Sequence, residues 1–246
     1  LCHMDTVYPL GALSGQPVRQ EDGRLYGPGT LDMKAGIVLA LHAIEALRDA
    51  RHPMPRPLTL LCTSDEETGS RTSRALIENL ARQHALTLCL EPALPNGALK
   101  TWRKGVGWYT VLAQGAAAHA GTDHERGVNA IAEMAHHILA IQALTDYARG
   151  TTLSVGQISG GTRGNVVPDT CSVLVDFRAK TPEEAARVEA FFRALRPVLP
   201  GARLEVSGGL NRPPMVRDEI MLRTFGRAQQ IGAQLGQPLA EGGTGG

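Results

Sequence analysis

The 246-residue sequence has little net charge, no long apolar run and few cysteines. Its formal net charge is +1, so no overall field recruits nucleic acid or an anionic membrane surface. No apolar stretch reaches the roughly 18 residues that a membrane-spanning helix needs. The four cysteines are far apart and form no C-x-x-C pair. They are therefore predicted to be reduced core thiols in a reducing compartment.

Both ends of the sequence read as cut. Residue 1 is a leucine, and a functional-looking motif begins at His3. Residues 241–246 are predicted to be a glycine-rich turn. The expected location is the cytoplasm, with a signal peptide in a preceding segment as the alternative.

The first hundred residues alternate between helical and strand patterns. Helices are predicted at 30–50 and 70–82, and buried strands at 58–63 and 86–90. The first helix is expected to bury an apolar stripe, formed by Ile37, Leu41, Ile44 and Leu47. This alternation predicts an α/β layer with a mostly parallel sheet.

From about residue 106 the pattern changes to βαββαβ, the order of a ferredoxin-like unit. Its strands are predicted at 106–114, 152–159, 170–178 and 202–207, and its helices at 123–144 and 181–195. The 123–144 helix is expected to turn these apolar residues inward: Val128, Ile131, Met134, Ala135, Ile138 and Ile141. Thr181 and Glu184 read as a capping box. A further helix is predicted at 217–236.

This change of pattern predicts an inserted domain. The predicted division is a catalytic domain over 1–104, an inserted dimerisation or lid domain over 105–211, and the returning catalytic domain over 212–246.

Carboxylates and a histidine are concentrated in four short segments, two of which follow predicted buried strands. The segments are CHMD at 2–5, LDMK at 31–34, SDEETG at 64–69 and LEP at 90–92. In open α/β sheets, ligands bind beyond the carboxyl ends of strands. If the segments converge, at least four acids repel one another unless cations lie among them.

Each segment taken alone also has a structural interpretation. His3 and Asp5 share one face of an extended segment, so one can ligate a metal while the other orients it, or both can be a surface pair. Asp32 can bridge two metal ions or simply favour a helix N-terminus. Glu66 and Glu67 leave a strand in opposite directions, so one can ligate a metal while the other faces the substrate water, or both can belong to a solvated acidic turn. Glu91 alone is a strand-end acid.

Together the four segments resemble the two-zinc metallopeptidase and deacylase family. That family includes glutamate carboxypeptidase, aminoacylase, acetylornithine deacetylase and succinyl-diaminopimelate desuccinylase. The matching residues of the first part are HMDTV at 3–7, GPGTLDMKAG at 27–36, SDEETGS at 64–70 and LEPA at 90–93. The predicted inserted domain matches through AAHAGTDHERGVNAI at 117–131, GGTRGNVVPD at 160–169 and VDFR at 175–178.

The resemblance implies a role for each matched residue. His3 and Glu91 would ligate one zinc ion, Glu67 the second, and Asp32 would bridge them, with Co²⁺ or Mn²⁺ as substitutes. Asp5 would orient His3, and Glu66 would act as the general base. His119 would stabilise the oxyanion in the active site of a partner subunit, so a homodimer through the inserted domain is implied. Arg178 and Asn165 would position substrate. Arg178 can instead be a core arginine paired with an acid, and His119 an ordinary loop histidine.

The sequence departs from the family pattern in two places. The family's last zinc ligand is a histidine beyond a GGGTD-like turn, and this sequence stops inside that turn, so the second zinc is expected to be under-ligated. Cys2 also stands where the family usually has glycine.

The resemblance is strongest to the glutamate carboxypeptidase branch, through residues 63–78, 211–215 and 241–246. It implies hydrolysis of the amide bond before a C-terminal amino acid of a small peptide or acyl conjugate. The alternatives are an amino-acid deacylase of the same family and a non-catalytic metal-binding homologue.

Overall fold

The computed structural model describes residues 1–246, which form two compact units, Leu1–Ala93 and Leu94–Gly246. The chain is a mixed α/β protein with parallel strand pairs, as the sequence predicts. The two-unit division differs from the three-part domain division above, which stays a prediction. None of the helices is both long and apolar enough to cross a membrane.

Short strands and three helices make up the first unit. In chain order these are β1 (Cys2–His3), α1 (Ala12–Gly15), β2 (Arg19–Glu21), β3 (Arg24–Tyr26), α2 (Ala35–Asp49), β4 (Cys62–Thr63) and α3 (Arg74–Gln83). Strands β1 and β4 are parallel, with Cys2 opposite Cys62 and His3 opposite Thr63. Strands β2 and β3 form an antiparallel hairpin.

Three expectations for the first unit are wrong in part. Of the predicted strand at 58–63, only Cys62–Thr63 is a strand. The segment 86–90 is not a regular buried strand. Its backbone contacts Leu1 on one side, and Leu86 and Leu88 are exposed because no element of the unit covers them. In α2, Leu41 and Leu47 are exposed rather than buried.

The second unit is built on a four-stranded antiparallel sheet. Its elements are β5 (Leu99–Arg103), β6 (Gly105–Gln114), β7 (Ala118–His119), α4 (Ala130–Gln142), β8 (Thr152–Gly160), β9 (Val166–Val167), β10 (Thr170–Ala179), α5 (Pro182–Ala194), β11 (Arg203–Arg212), α6 (Glu219–Gln234) and β12 (Glu241–Thr244). The sheet order is β11-β6-β10-β8, and α4 and α5 pack against it. The main elements follow the predicted βαββαβ order. That this segment is an inserted dimerisation or lid domain stays a prediction.

The core of the second unit lies between this sheet and its two helices. Tyr109 of β6 stacks on Phe192 of α5 with ring centroids 3.8 Å apart. Met134 and Ile141 of α4 are fully buried, whereas Ile131, which was predicted to face inward, is 41% exposed. Ala135, also predicted inward, is exposed. The helix begins later than predicted because Asn129 caps it, accepting a hydrogen bond from the Ala132 N–H at 2.9 Å.

The predicted terminal turn at residues 241–246 is also wrong, because Glu241–Thr244 is a strand parallel to β5. Glycine makes this pairing possible. A Cβ at Gly243 would overlap the Trp102 ring, so only a residue without a side chain lets the two strands approach.

Only half of the predicted capping box forms. The Thr181 hydroxyl accepts the Glu184 N–H at 3.3 Å. The Glu184 carboxylate binds elsewhere, accepting hydrogen bonds from the Thr151 hydroxyl at 2.6 Å and from the Arg187 guanidinium at 2.7 Å. These donors, led by Arg187, lower the pKa of Glu184 to about 2.

Replacing this carboxylate should destabilise the second unit in a pH-dependent way. At neutral pH we expect Glu184→Gln to lower the free energy of unfolding by about 2 kcal/mol, since hydrogen bonds between charged groups are lost. The folded pKa lies below the unfolded value of 4.5, so the contribution is complete above that pH and is lost as the pH falls towards 2. Urea unfolding of both proteins should show the difference shrinking from pH 7 to pH 3. Glu205→Gln, at an exposed position of β11, is the control. Equal differences at both pH values would contradict the assignment.

Candidate metal centre

Three side chains with metal-ligand chemistry meet in the first unit. The Nε2 atom of His3 lies 3.1 Å from Oδ1 of Asp32 and 3.3 Å from Oε1 of Glu91. One ligand atom from each residue lies within 4.8 Å of the other two. Two ligands that each lie 2.0–2.1 Å from a tetrahedral ion are roughly 3.3 Å apart. The observed separations therefore fit a single ion, and one imidazole with two carboxylates is a donor set that zinc accepts.

Asp5 orients the buried His3 ring. The Nδ1 atom of His3 lies 3.1 Å from the backbone oxygen of Asp5 and 3.3 Å from its Oδ1. Carboxylate or carbonyl acceptors thus face both ring nitrogens, and with a metal ion at Nε2 the proton would stay on Nδ1 and be donated to Asp5. The other carboxylate oxygen of Asp5 accepts the Glu67 N–H at 2.9 Å. Asp5 thus joins the His3 segment to the acidic segment, a second contact that the sequence did not predict.

The Asp32 segment is a distorted turn rather than the start of a regular helix. Asp32 and Met33 have non-helical backbone angles within residues 30–34, and the peptide bond between them is cis. The buried Met33 sulfur accepts the His3 N–H at 3.1 Å. Lys34 Nζ donates to the backbone oxygen of Met4 at 3.1 Å. These two contacts hold the Asp32 segment against the His3 segment and leave the Asp32 carboxylate 57% exposed.

Gly36 allows α2 to approach the segment that carries Glu91. A Cβ at Gly36 would overlap the backbone carbonyl of Leu90, the residue before Glu91. The turn that presents Asp32 leads directly into α2, so this close approach helps to set the distance between Asp32 and Glu91. Gly36 belongs to the motif at 27–36, but its contact with Leu90 is not visible in the sequence. The one sequence feature that could have indicated a close contact is the glycine itself, because glycine is unfavourable in a helix unless packing requires it.

Gly36→Ala should therefore weaken metal binding. We expect at least a ~10-fold loss of Zn²⁺ affinity, comparable to the effect of disturbing the groups that hold metal ligands in place. Isothermal titration with Zn²⁺ measures this. Gly226→Ala is the matched control, because Gly226 is also helical and an added Cβ there meets no atom. Unchanged Zn²⁺ affinity in Gly36→Ala would show that the close approach does not set the site.

Asp65 shapes the turn that carries Glu66 and Glu67. One oxygen of its carboxylate accepts the Thr72 hydroxyl at 2.7 Å, the Thr72 N–H at 2.8 Å and the Ser73 N–H at 3.1 Å. The hydrogen-bond donors of Ser73 and Thr72 hold the pKa of Asp65 well below its usual range. The sequence predicts no role for Asp65, and only its position in the acidic segment at 64–69 marks it as a candidate.

Negative charge is concentrated around His3. Burial raises the pKa of Glu67, and the neighbouring Asp32 and Glu66 raise it further. Burial lowers the pKa of His3, but Glu91, Glu66 and Asp5 outweigh it, so the net shift is upward. Glu66 therefore lies within electrostatic reach of both His3 and Glu67. All six predicted residues, including Asp5 and Asp32, belong to one cluster.

The remaining predicted residues lie in the second unit, where the structure brings two of them together. Strand β7, which ends at His119, pairs with β9, and the Ala120 N–H donates to the Asn165 backbone oxygen at 3.0 Å. The Nδ1 atom of His119 accepts the N–H groups of Gly121 at 3.1 Å and Thr122 at 3.2 Å. In a neutral ring the proton is therefore on Nε2, and the exposed ring is a hydrogen-bond donor.

Arg178 makes a bidentate ion pair within its own strand. Its Nε and Nη2 atoms each donate to a carboxylate oxygen of Asp176 at 2.9 Å. This is the acid pairing that the sequence analysis left open for an arginine in a strand. Arg178 is 31% exposed and Asp176 49% exposed, so the pair is accessible to solvent.

A sequence profile described as peptidase family M20/M25/M40 matches residues 1–244. Carboxypeptidase G2 of Pseudomonas sp. (strain RS-16) is 32% identical over 216 residues, covering 87% of this chain and 52% of that protein. Succinyl-diaminopimelate desuccinylase of Dechloromonas aromatica (strain RCB) is 33% identical over 201 residues, covering 74% of this chain and 53% of that protein. The chain spans about half the length of these relatives.

Two solved structures share the fold. Aminopeptidase PepT from Bacillus cereus ATCC 10987 superposes with a TM-score of 0.76 at 23% identity, over 100% of this chain and 66% of that one. A tripeptidase from Staphylococcus aureus subsp. aureus Mu50 gives a TM-score of 0.72 at 23% identity, over 99% of this chain and 66% of that one.

Proposed function

The chain belongs to peptidase family M20/M25/M40, and from this premise we propose that it is part of a zinc-dependent glutamate carboxypeptidase-like exopeptidase. The substrate would be a small peptide or N-acyl amino acid, cleaved at the amide bond before its C-terminal residue. The observation that carries the proposal is the convergence of His3, Asp32 and Glu91 at metal-ligand separations, with Glu66 and Glu67 beside them.

In this proposal His3 and Glu91 would hold one zinc ion, Glu67 would hold a second, and Asp32 would serve both. When bound, zinc supplies Lewis-acid polarisation of the scissile carbonyl and makes water more acidic. Asp5 keeps His3 in the tautomer that presents Nε2, and it fixes the backbone of Glu67. Co²⁺ and Mn²⁺ are the expected substitutes.

Glu66 is the proposed general base. Apart from Asp5, which orients His3, it is the one acid of the cluster to which the proposal gives no metal, and it is half-buried beside Glu67. Its carboxylate would take the proton of the attacking water and then deliver it to the leaving amine.

His119 of the partner subunit is the proposed oxyanion donor. Two backbone N–H groups occupy Nδ1, so Nε2–H is available to the oxygen that becomes negative in the transition state. Asn165, held next to the β7 strand, and Arg178 are proposed to position the substrate. To bind substrate, the Arg178 guanidinium would have to leave the Asp176 carboxylate or bind the substrate and Asp176 together.

Sharing of this kind requires a homodimer, which we propose forms through the second unit. Strand β8 is an edge strand of the four-stranded sheet, and an edge can pair with another strand. Ile158 on β8 is 58% exposed, and Leu139 on the neighbouring α4 is 73% exposed. Exposed apolar residues beside an open edge are suited to an interface between copies.

An amino-acid deacylase is the second candidate, favoured by the similarity to a succinyl-diaminopimelate desuccinylase. The same site serves both reactions. A non-catalytic homologue is disfavoured because Glu66 and His119 are both present.

A substrate panel on the complete protein tests the proposal. The panel compares peptides and acyl conjugates that end in glutamate, the same compounds with other C-terminal residues, and N-acetyl and N-succinyl amino acids. We expect hydrolysis of the C-terminal glutamate substrates, loss of activity with a chelator and recovery with Zn²⁺. Preference for acyl amino acids would favour the deacylase, and activity that resists exhaustive chelation would overturn the metal-dependent mechanism.

A further inference from the structure

Two cysteines that are 60 residues apart in sequence lie directly opposite each other. Cys2 of β1 and Cys62 of β4 are register partners in a parallel pair, so their side chains leave the same face. Cys2 is 2% exposed and Cys62 is half-buried, and both are free thiols. His3, the next residue along β1, points to the opposite face, where the carboxylates lie.

The spacing of parallel strands suits a metal ion better than a disulfide. Neighbouring strands are about 4.7–4.9 Å apart, and in a parallel pair the Cβ atoms of opposed residues have a similar separation. A disulfide needs Cβ atoms roughly 3.5–4.5 Å apart. Side chains in matching rotamers keep their sulfur atoms as far apart as their Cβ atoms, and two metal–thiolate bonds of ~2.3 Å in line span about 4.6 Å between the sulfurs.

We propose that Cys2 and Cys62 form a two-thiolate site for one soft, thiophilic metal ion of the Cu(I) and Hg(II) type. Thiolates select such ions, whereas the carboxylates and imidazole on the other face of β1 suit zinc. On binding, each thiol loses its proton to water, and two S–H bonds are replaced by two sulfur–metal bonds without any change of oxidation state.

The third cysteine of this unit does not complete the site. The Leu1 amino group donates to Leu88 O at 2.8 Å, and Leu90 N–H donates to Leu1 O at 3.2 Å. This pattern places Cys89 opposite Leu1, so its side chain leaves the other face from Cys2.

Mercury titration of the chain tests the site without any use of hydrolytic activity. The parent variant, Cys89→Ser with Cys171→Ser, retains only Cys2 and Cys62. HgCl₂ is added in the presence of Zn²⁺, the mercury–thiolate absorbance is followed, and unreacted thiols are counted after unfolding. We expect one Hg(II) per chain to consume both thiols.

Cys62→Ser in the same background separates a shared ion from two independent thiols. Because it removes one of two linked ligands, we expect at least a ~10²-fold loss of Hg(II) affinity in competition with glutathione. Cys62 is half-buried, so this variant tolerates the change better than Cys2→Ser, and circular dichroism confirms its fold. An end point of two ions per chain, or an unchanged affinity in folded Cys62→Ser, would overturn the proposal.

Discussion

Replacing Glu66 by glutamine should abolish most of the turnover of the complete protein while leaving its metal content unchanged. The substitution keeps the size of the side chain and removes its ability to accept a proton from the attacking water. We expect kcat to fall by about 10² or more, the usual contribution of a general base. Turnover and zinc content are measured on the same metal-replete preparation.

Glu67→Gln is the matched control for this experiment. The two residues are neighbours in one turn, but Glu67 is a proposed ligand, so its replacement should lower zinc content as well as turnover. Wild-type turnover in metal-replete Glu66→Gln would sink the general-base assignment. Loss of zinc in Glu66→Gln equal to that in Glu67→Gln would make Glu66 a ligand instead.

Two inactive variants should restore activity to each other if His119 acts across a dimer. His119→Ala removes the proposed oxyanion donor and should lower kcat by about 10²–10³. In a heterodimer with Glu66→Gln, the subunit that keeps Glu66 receives the intact His119 of the partner subunit. One of two sites is then complete, so a purified heterodimer should recover about half of the wild-type turnover.

Co-expression with two different affinity tags allows the heterodimer to be isolated. His124→Ala is the control, since His124 lies in the same exposed loop and has no proposed role. If heterodimers form but stay inactive, His119 acts within its own chain or has no part in the reaction. If the protein is monomeric, the shared site is excluded.

Sequence periodicity predicted the second unit better than the first. The two central strands of the four-stranded sheet, β6 and β10, alternate fully buried residues with partly exposed ones, so their pattern is visible in a single strand. The segments 58–63 and 86–90 are mostly apolar and were interpreted as buried strands. Whether such a run is covered depends on other elements, and a local pattern does not contain that information.

Hydrophobic periodicity does not predict a buried pair of polar side chains. Glu133 and His137 of α4 are buried and joined by a hydrogen bond of 2.6 Å. The Glu133 carboxylate also accepts the N–H groups of Val198 at 2.8 Å and Leu199 at 2.7 Å. A search for apolar stripes assigns both residues to the solvent face. The loop that contains Val198 and Leu199 supplies hydrogen-bond donors that offset the cost of burying the carboxylate, and this loop is next to α4 only in the tertiary structure.

The sequence by itself indicated the residues of the candidate metal centre through four motifs that together resemble the family, because carboxylates and a histidine gathered at one place repel one another unless cations lie among them. Tertiary structure decided how these residues are held. Asp5 fixes both His3 and Glu67, Gly36 lets α2 approach Leu90, and Cys2 meets Cys62. The contacts of Asp5 with Glu67, of Gly36 with Leu90 and of Cys2 with Cys62 join segments separated by roughly 50 residues or more. Strand register and backbone approach set such contacts, and neither leaves a local pattern in the sequence.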